Sequence, residues 1–73
     1  MSKLSVISGK ELIKILEKNG FKIVGQKGSH IRLKKTINNE IYITVVPLHK
    51  ELAPGTLLSI LKQSKLSKED LFD

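Results

Sequence analysis

A histidine that directly follows a Gly-Ser pair, with a lysine before the pair and cations at alternate positions after it, is the arrangement in this chain best suited to chemistry. The run is Lys27-Gly28-Ser29-His30-Ile31-Arg32-Leu33-Lys34. Imidazole can give or take a proton near neutral pH, and it has particular economy at an RNA phosphodiester. RNA carries its own nucleophile, the 2′-hydroxyl. Cleavage then needs a proton-transfer group, positive charge where the phosphate oxygens gain negative charge, and in-line geometry. In that chemistry His30 is the general base or acid, Lys27 and Arg32 bind and stabilise the phosphate, and Lys34 tracks the backbone. Ser29 either contacts a phosphate or serves the turn. Two further residues are secondary candidates. His49, in a loop after Pro47, has a backbone hydrogen bond as its plain alternative, and Tyr42 either stacks a base or packs with its hydroxyl at the rim. Arg32 and Lys34 also have a plain reading, as the solvated half of an alternating strand.

Other chemistries fit poorly. The seven acidic residues are scattered, three of them within the last five positions, so they do not converge as the carboxylates of a divalent-metal nuclease do. A zinc site would have to use His30, His49 and an acid such as Glu51, at no recognised spacing, and the chain has no cysteine. Ser29 stands beside His30 in sequence without an elbow motif, and neighbouring strand or turn residues diverge. The stretch Gly25-Gln26-Lys27-Gly28-Ser29 lacks the spacing and ending of a phosphate-binding Walker loop. No cofactor is implied.

Length and charge narrow the setting. Seventy-three residues make one domain with a small core, so any activity sits on a surface or in a shallow groove. With 40% hydrophobic residues the chain is expected to fold, and without cysteine its stability rests on packing. The net charge of +6 attracts phosphate polymers, anionic lipid or an acidic protein. Neither a signal peptide in residues 1–7 nor a membrane-spanning stretch is read, so a cytoplasmic protein is expected.

The elements that must position His30 can be read in order. Ser8 and Glu11 form a capping box, with Ile7 and Leu12 as a hydrophobic staple, and open a helix of about eleven residues. Its apolar stripe is Leu12, Ile15 and Leu16. Gly20 suits a left-handed cap, with Phe21 folding back on Leu16. Residues 21–27 and 30–35 are β-compatible segments joined by Gly28-Ser29, which suits a type II′ turn. In a regular hairpin Phe21 and Ile23 would share the cationic face; a bulge near Gly25 or a longer loop would remove that conflict. Residues 36–40 form a polar connection around Asn38-Asn39. Residues 41–46 are the strongest strand signal, apolar on both faces and therefore expected to be central or well covered. Pro47 ends that strand, and residues 48–53 form a loop. Pro54 opens a second helix with Leu57, Leu58, Ile60 and Leu61 as its stripe, and Ser67 with Asp70 caps a last turn where Leu71 and Phe72 tuck in. The expected class is α+β: helix, three antiparallel strands, helix and short helix, with the helices on one sheet face. His30, Arg32 and Lys34 then point from the bare face.

Five motifs in order carry a family likeness. They are Ser8-Gly9-Lys10-Glu11-Leu12, Asn19-Gly20-Phe21, Gln26-Lys27-Gly28-Ser29-His30, Val46-Pro47-Leu48-His49, and Gly55-Thr56-Leu57 with Ile60-Leu61-Lys62-Gln63. From about residue 8 to residue 72 the chain resembles the HicA-type toxins of toxin–antitoxin systems. That resemblance implies a fold like the double-stranded-RNA-binding domain and a ribosome-independent endoribonuclease activity on mRNA that halts translation. It also implies a HicB-type antitoxin that covers the active surface, and a catalytic role for the histidine of the Gly-Ser-His motif, here His30. His49 matches a family position as well. Two non-enzymatic readings use the same charges: an RNA-binding module without a general base, and an adaptor whose positive face meets an acidic protein.

Overall fold

The computed structural model describes residues 7–72. Residues 1–6, where no targeting segment is read, and the Phe72 side chain, expected to tuck against the body, lie outside the described residues.

The first helix, α1 (Gly9–Lys18), begins where Ser8 and Glu11 satisfy each other's amides. The Ser8 Oγ accepts from the Glu11 N–H at 3.1 Å, and a Glu11 carboxylate oxygen accepts from the Ser8 N–H at 2.9 Å. The bond that the carboxylate accepts from the Ser8 N–H, with a smaller share from the Ser8 hydroxyl, holds the Glu11 carboxyl below its usual pKa. The helix closes in a Schellman motif, with Phe21 N–H on the Leu16 carbonyl at 3.0 Å and Gly20 N–H on the Glu17 carbonyl at 3.1 Å. Gly20 takes φ +98° there, which a Cβ would disfavour. The buried stripe is Leu12, Ile13 and Leu16, whereas Ile15 is half-buried, so the inward face lies a little to one side of the expected one.

Three antiparallel strands follow in the order β1 (Lys22–Lys27), β2 (His30–Ile37) and β3 (Glu40–Pro47). Gly28, at φ +59°, makes the first turn, and Asn38 and Asn39, at φ 50° and 69°, make the second. Two successive positive φ values suit a two-residue type I′ turn, which asparagine tolerates. The polar connection expected over residues 36–40 is therefore only two residues long, and Thr36 and Ile37 extend β2.

The first hairpin resolves the conflict over Phe21 and Ile23 with a bulge. Lys27 pairs with His30, Gln26 with Ile31 and Gly25 with Arg32, but the next pairs are Ile23 with Leu33 and Lys22 with Lys34. Val24 is the extra residue. One inserted residue reverses the facing of everything before it, so Ile23 moves to the helix side and Phe21 is buried.

A second helix, α2 (Pro54–Gln63), packs against β3, and a short 3₁₀ helix, Lys68–Phe72, packs on α1. Leu57, Ile60 and Leu61 of α2 are buried, but Leu58 is exposed; it lies off the inward face by a single helical step. The helix ends in another Schellman motif, with Leu66 N–H on the Leu61 carbonyl and the non-glycine Lys65 at φ +59°. Ser67 N–H donates to the Asp70 carboxylate at 2.8 Å and opens the last turn, whose Leu71 packs on the core. The core gathers α1, Phe21, Ile31 and Leu33 of β2, Val46 of β3, Leu52 and α2. Thr44 is buried among them, and its hydroxyl donates to Gln63 at 2.9 Å, which spares it an unmade hydrogen bond.

One expectation fails. β3 is an edge strand, not a central one, and the outer face of its apolar run is uncovered: Ile41, Ile43 and Val45 are 57%, 51% and 39% exposed. Apolarity on both faces of a strand reads the same whether the chain itself or another molecule covers the second face.

Candidate nucleic-acid interface

The two-residue turn sets Lys27, the last residue of β1, directly across from His30, the first of β2. Two bonds hold the turn: Gln26 Nε2 donates to the Gly28 carbonyl at 3.0 Å, and Leu48 N–H donates to the Ser29 carbonyl at 2.8 Å. His30 thus stands on a fixed corner of the sheet. The next row across the sheet is Gly25, Arg32 and Val45, each opposite its neighbour. Directly paired residues share a face, so Lys27, His30 and Arg32 project together from the side the helices leave bare.

These residues line one open groove of about 380 Å³, with Gly25, Gln26 and Val45 completing its wall. No other atom lies within 4 Å of where a Cβ on Gly25 would sit, so the missing side chain keeps the groove open beside Arg32. No carboxylate lines it. Among the described residues Lys27, His30 and Arg32 have no side-chain hydrogen-bond or ion-pair partner, which leaves their donors to an incoming anion. The groove is thus lined by a lysine, an arginine and an imidazole, groups whose donors are of the kind that bind anions. Among the described residues, no group of three His, Asp or Glu comes together that could hold a metal ion.

The remaining sequence candidates are placed elsewhere. Lys34 is on the same bare face but lines a separate groove with Lys22 and Lys35. Ser29 acts through its backbone in the turn. Tyr42 pairs with Lys35 and packs half-buried against the core on the helix side, so it cannot stack a base beside His30. Its hydroxyl donates to Glu40 at 2.6 Å, and that bond, with smaller effects of desolvation and charge, raises the phenol pKa. His49 is exposed and accepts the Gly9 N–H through its carbonyl at 2.9 Å; it lines a different hollow, with Ser8, Lys10, Leu48 and Lys50. Gln26 and Val45, absent from the sequence reading of the site, belong to the groove because of register, which only the paired strands reveal.

The fold and this face define a small α+β protein of the double-stranded-RNA-binding-domain type, with a cationic, histidine-bearing sheet surface opposite its helices. The family model that matches, HicA toxin of bacterial toxin–antitoxin, covers residues 9–66 and so takes in the whole sheet and both α-helices. The chain belongs to the HicA toxin family, and is the toxin member of a pair that includes an antitoxin. A comparison with curated proteins gives no match. Among the described residues no helix is long and apolar enough to cross a membrane.

Proposed function

We propose that the protein is an endoribonuclease that cleaves mRNA in the cytoplasm and so halts translation, with His30 as its proton-transfer residue. One observation carries this reading: Lys27, His30 and Arg32 share one groove, unpartnered by acids, on the face away from the helices. As general base His30 takes the proton of the 2′-hydroxyl, whose oxygen forms a bond to phosphorus while the bond from phosphorus to the 5′-oxygen breaks. The products are a 2′,3′-cyclic phosphate and a 5′-hydroxyl, the leaving oxygen taking its proton from water. Lys27 and Arg32 stabilise the extra charge on the phosphate oxygens, and this division of labour asks for no metal ion. The scatter of the carboxylates supports metal independence.

The uncovered apolar column of β3 favours a second use of the same face. Ile41, Ile43 and Val45 run beside the cationic row of His30, Arg32 and Lys34, with Val45 directly opposite Arg32 and Ile43 directly opposite Lys34. An acidic protein surface with apolar anchors complements both columns, whereas a second copy of this chain, at +6, would bring like charge against like. The antitoxin is that partner, and because Val45 lines the groove of His30, burying the column closes the groove.

The test is a separation of binding from cleavage. Purified protein cleaves single-stranded RNA in the presence of chelator, and His30→Ala abolishes cleavage with affinity largely kept. Lys27→Ala and Arg32→Ala weaken binding and flatten its salt dependence. Binding without cleavage by the unaltered protein would establish the RNA-binding module in place of the enzyme, and activity lost to chelator and restored by a divalent ion would establish a metal mechanism.

A further inference from the structure

We infer that the groove at the other end of the seam between β1 and β2, built by Lys22, Lys34 and Lys35, is a second phosphate subsite that holds the RNA away from the bond being cut; this rests on the nuclease reading above. The groove has a volume of about 310 Å³ and is lined by Gly20, Lys22, Val24, Lys34, Lys35 and Thr36, with no acid among them.

The bulge at Val24 creates it. In a regular hairpin continuing the Lys27–His30 register, Lys22 would fall opposite Lys35, on the helix side. The extra residue brings it opposite Lys34 on the bare face. Like charges directly across a strand pair disfavour folding, so this pair costs stability in the free protein and gains an attraction only when an anion lies between the two ammonium groups. Lys35 arrives from the opposite face. Its ammonium sits 5.6 Å from the centre of the Phe21 ring, and its stem runs beside Gly20, where an added Cβ would approach its Cε to 3.2 Å. A cation near the end of α1 complements the helix dipole, which accounts for Lys35 alone. Lys22 and Lys34 stand on the sheet, beyond the reach of that explanation.

The distance fits one strand of RNA. His30 and Lys34 are four residues apart on β2, about 13 Å at strand rise. That spans roughly two to four nucleotides of single strand, depending on how far the bases are stacked. A linear polyanion laid along the seam meets the groove of His30 first and the lysine groove one step further on. Free phosphate or a mononucleotide can fill either groove but cannot bridge them, so strand length is the variable that exposes the second site.

The experiment compares cleavage of a dinucleotide, whose single phosphodiester can occupy only one groove, with that of a strand of about ten nucleotides by the unaltered protein, Lys22→Ala, Lys34→Ala and Lys34→Arg. On the long strand each alanine variant should raise KM about threefold at moderate salt, leave kcat unchanged and reduce the salt slope by about 0.7, the share of one single-strand phosphate contact. Lys34→Arg should keep most of the affinity. On the short strand all four proteins should be alike, and Lys22→Ala should be at least as heat-stable as its parent, since it removes a repulsion. Unchanged KM on the long strand, or equal losses on both lengths, would overturn the subsite while leaving the chemistry at His30 standing. Failure of the unaltered protein to cut either strand would overturn the nuclease reading, and this inference with it.

Discussion

Two glycines that occupy the first turn of a helix should respond to the same substitution with opposite signs. Gly9, the first residue of α1, is buried, and a Cβ there would lie 2.0 Å from the Pro47 carbonyl oxygen and 3.1 Å from the Leu48 Cα. Both neighbours are backbone, so neither can swing aside. Relief requires moving the helix start away from the end of β3 by on the order of 1 Å, at a cost of about 1–3 kcal/mol for overpacking. The Gly9 N–H bond to the His49 carbonyl, 2.9 Å long, stretches in the same movement and forfeits up to about 1 kcal/mol. Higher helix propensity returns at most about 1 kcal/mol. The net loss for Gly9→Ala is therefore about 1–3 kcal/mol, or roughly 4–20 °C in Tm for a domain of this size. In α2, no other atom lies within 4 Å of where a Cβ on Gly55 would sit, so Gly55→Ala should gain up to about 1 kcal/mol. Paired thermal and urea unfolding of the two variants reads both signs. Because the β3 end that Gly9 touches is also the stretch that pairs with His30, Gly9→Ala should lower cleavage as well. A Gly9→Ala protein as stable as its parent would refute the argument that α1 is seated by backbone contact with Pro47.

Other outcomes follow from the caps and the open face. Lys65 holds φ +59° at the end of α2, so Lys65→Gly should raise stability by about 0.5–1 kcal/mol, read as a higher urea midpoint at constant slope. The Glu11 carboxyl has its pKa lowered in the folded protein, so its stabilising share is complete above the unfolded carboxyl pKa and disappears as pH falls through the lower folded value. Glu11→Gln should therefore cost stability at neutral pH and little in strong acid, which unfolding midpoints across that range would show. Ile43→Thr keeps a β-branched residue at an exposed site, so fold and RNA cleavage should persist while antitoxin affinity falls roughly tenfold by titration calorimetry. Unchanged antitoxin affinity would remove the β3 column from the interface.

Where the physics is local, the sequence speaks for the fold. Ser8 with Glu11, Gly20 with Phe21, and Gly28 each declare a cap or turn whose hydrogen bonds lie within a few residues. His30, Lys27 and Arg32 come together for a similar reason, since one tight turn and strand alternation set their common face. Tertiary facts are harder to read. The conflict over Phe21 and Ile23 signals that something must shift, but only the paired strands show Val24 as the inserted residue. The edge position of β3, the contact of Gly9 with Pro47 and the entry of Val45 into the groove all depend on segments distant in sequence. Tyr42 takes the packing alternative of its two readings, and the sequence leaves both open because a lone aromatic in a strand that is apolar on both sides carries no mark of which side it takes.

The most direct test of the chemistry at His30 is the nature of the ends that cleavage leaves. A labelled single-stranded RNA and its all-deoxy counterpart are incubated with the unaltered protein and with His30→Ala, chelator present throughout. Cut strands should appear only where imidazole and 2′-hydroxyl are both present, and should end in a 2′,3′-cyclic phosphate facing a 5′-hydroxyl. Cleavage of the deoxy strand, or equal rates with and without the imidazole, would contradict the account.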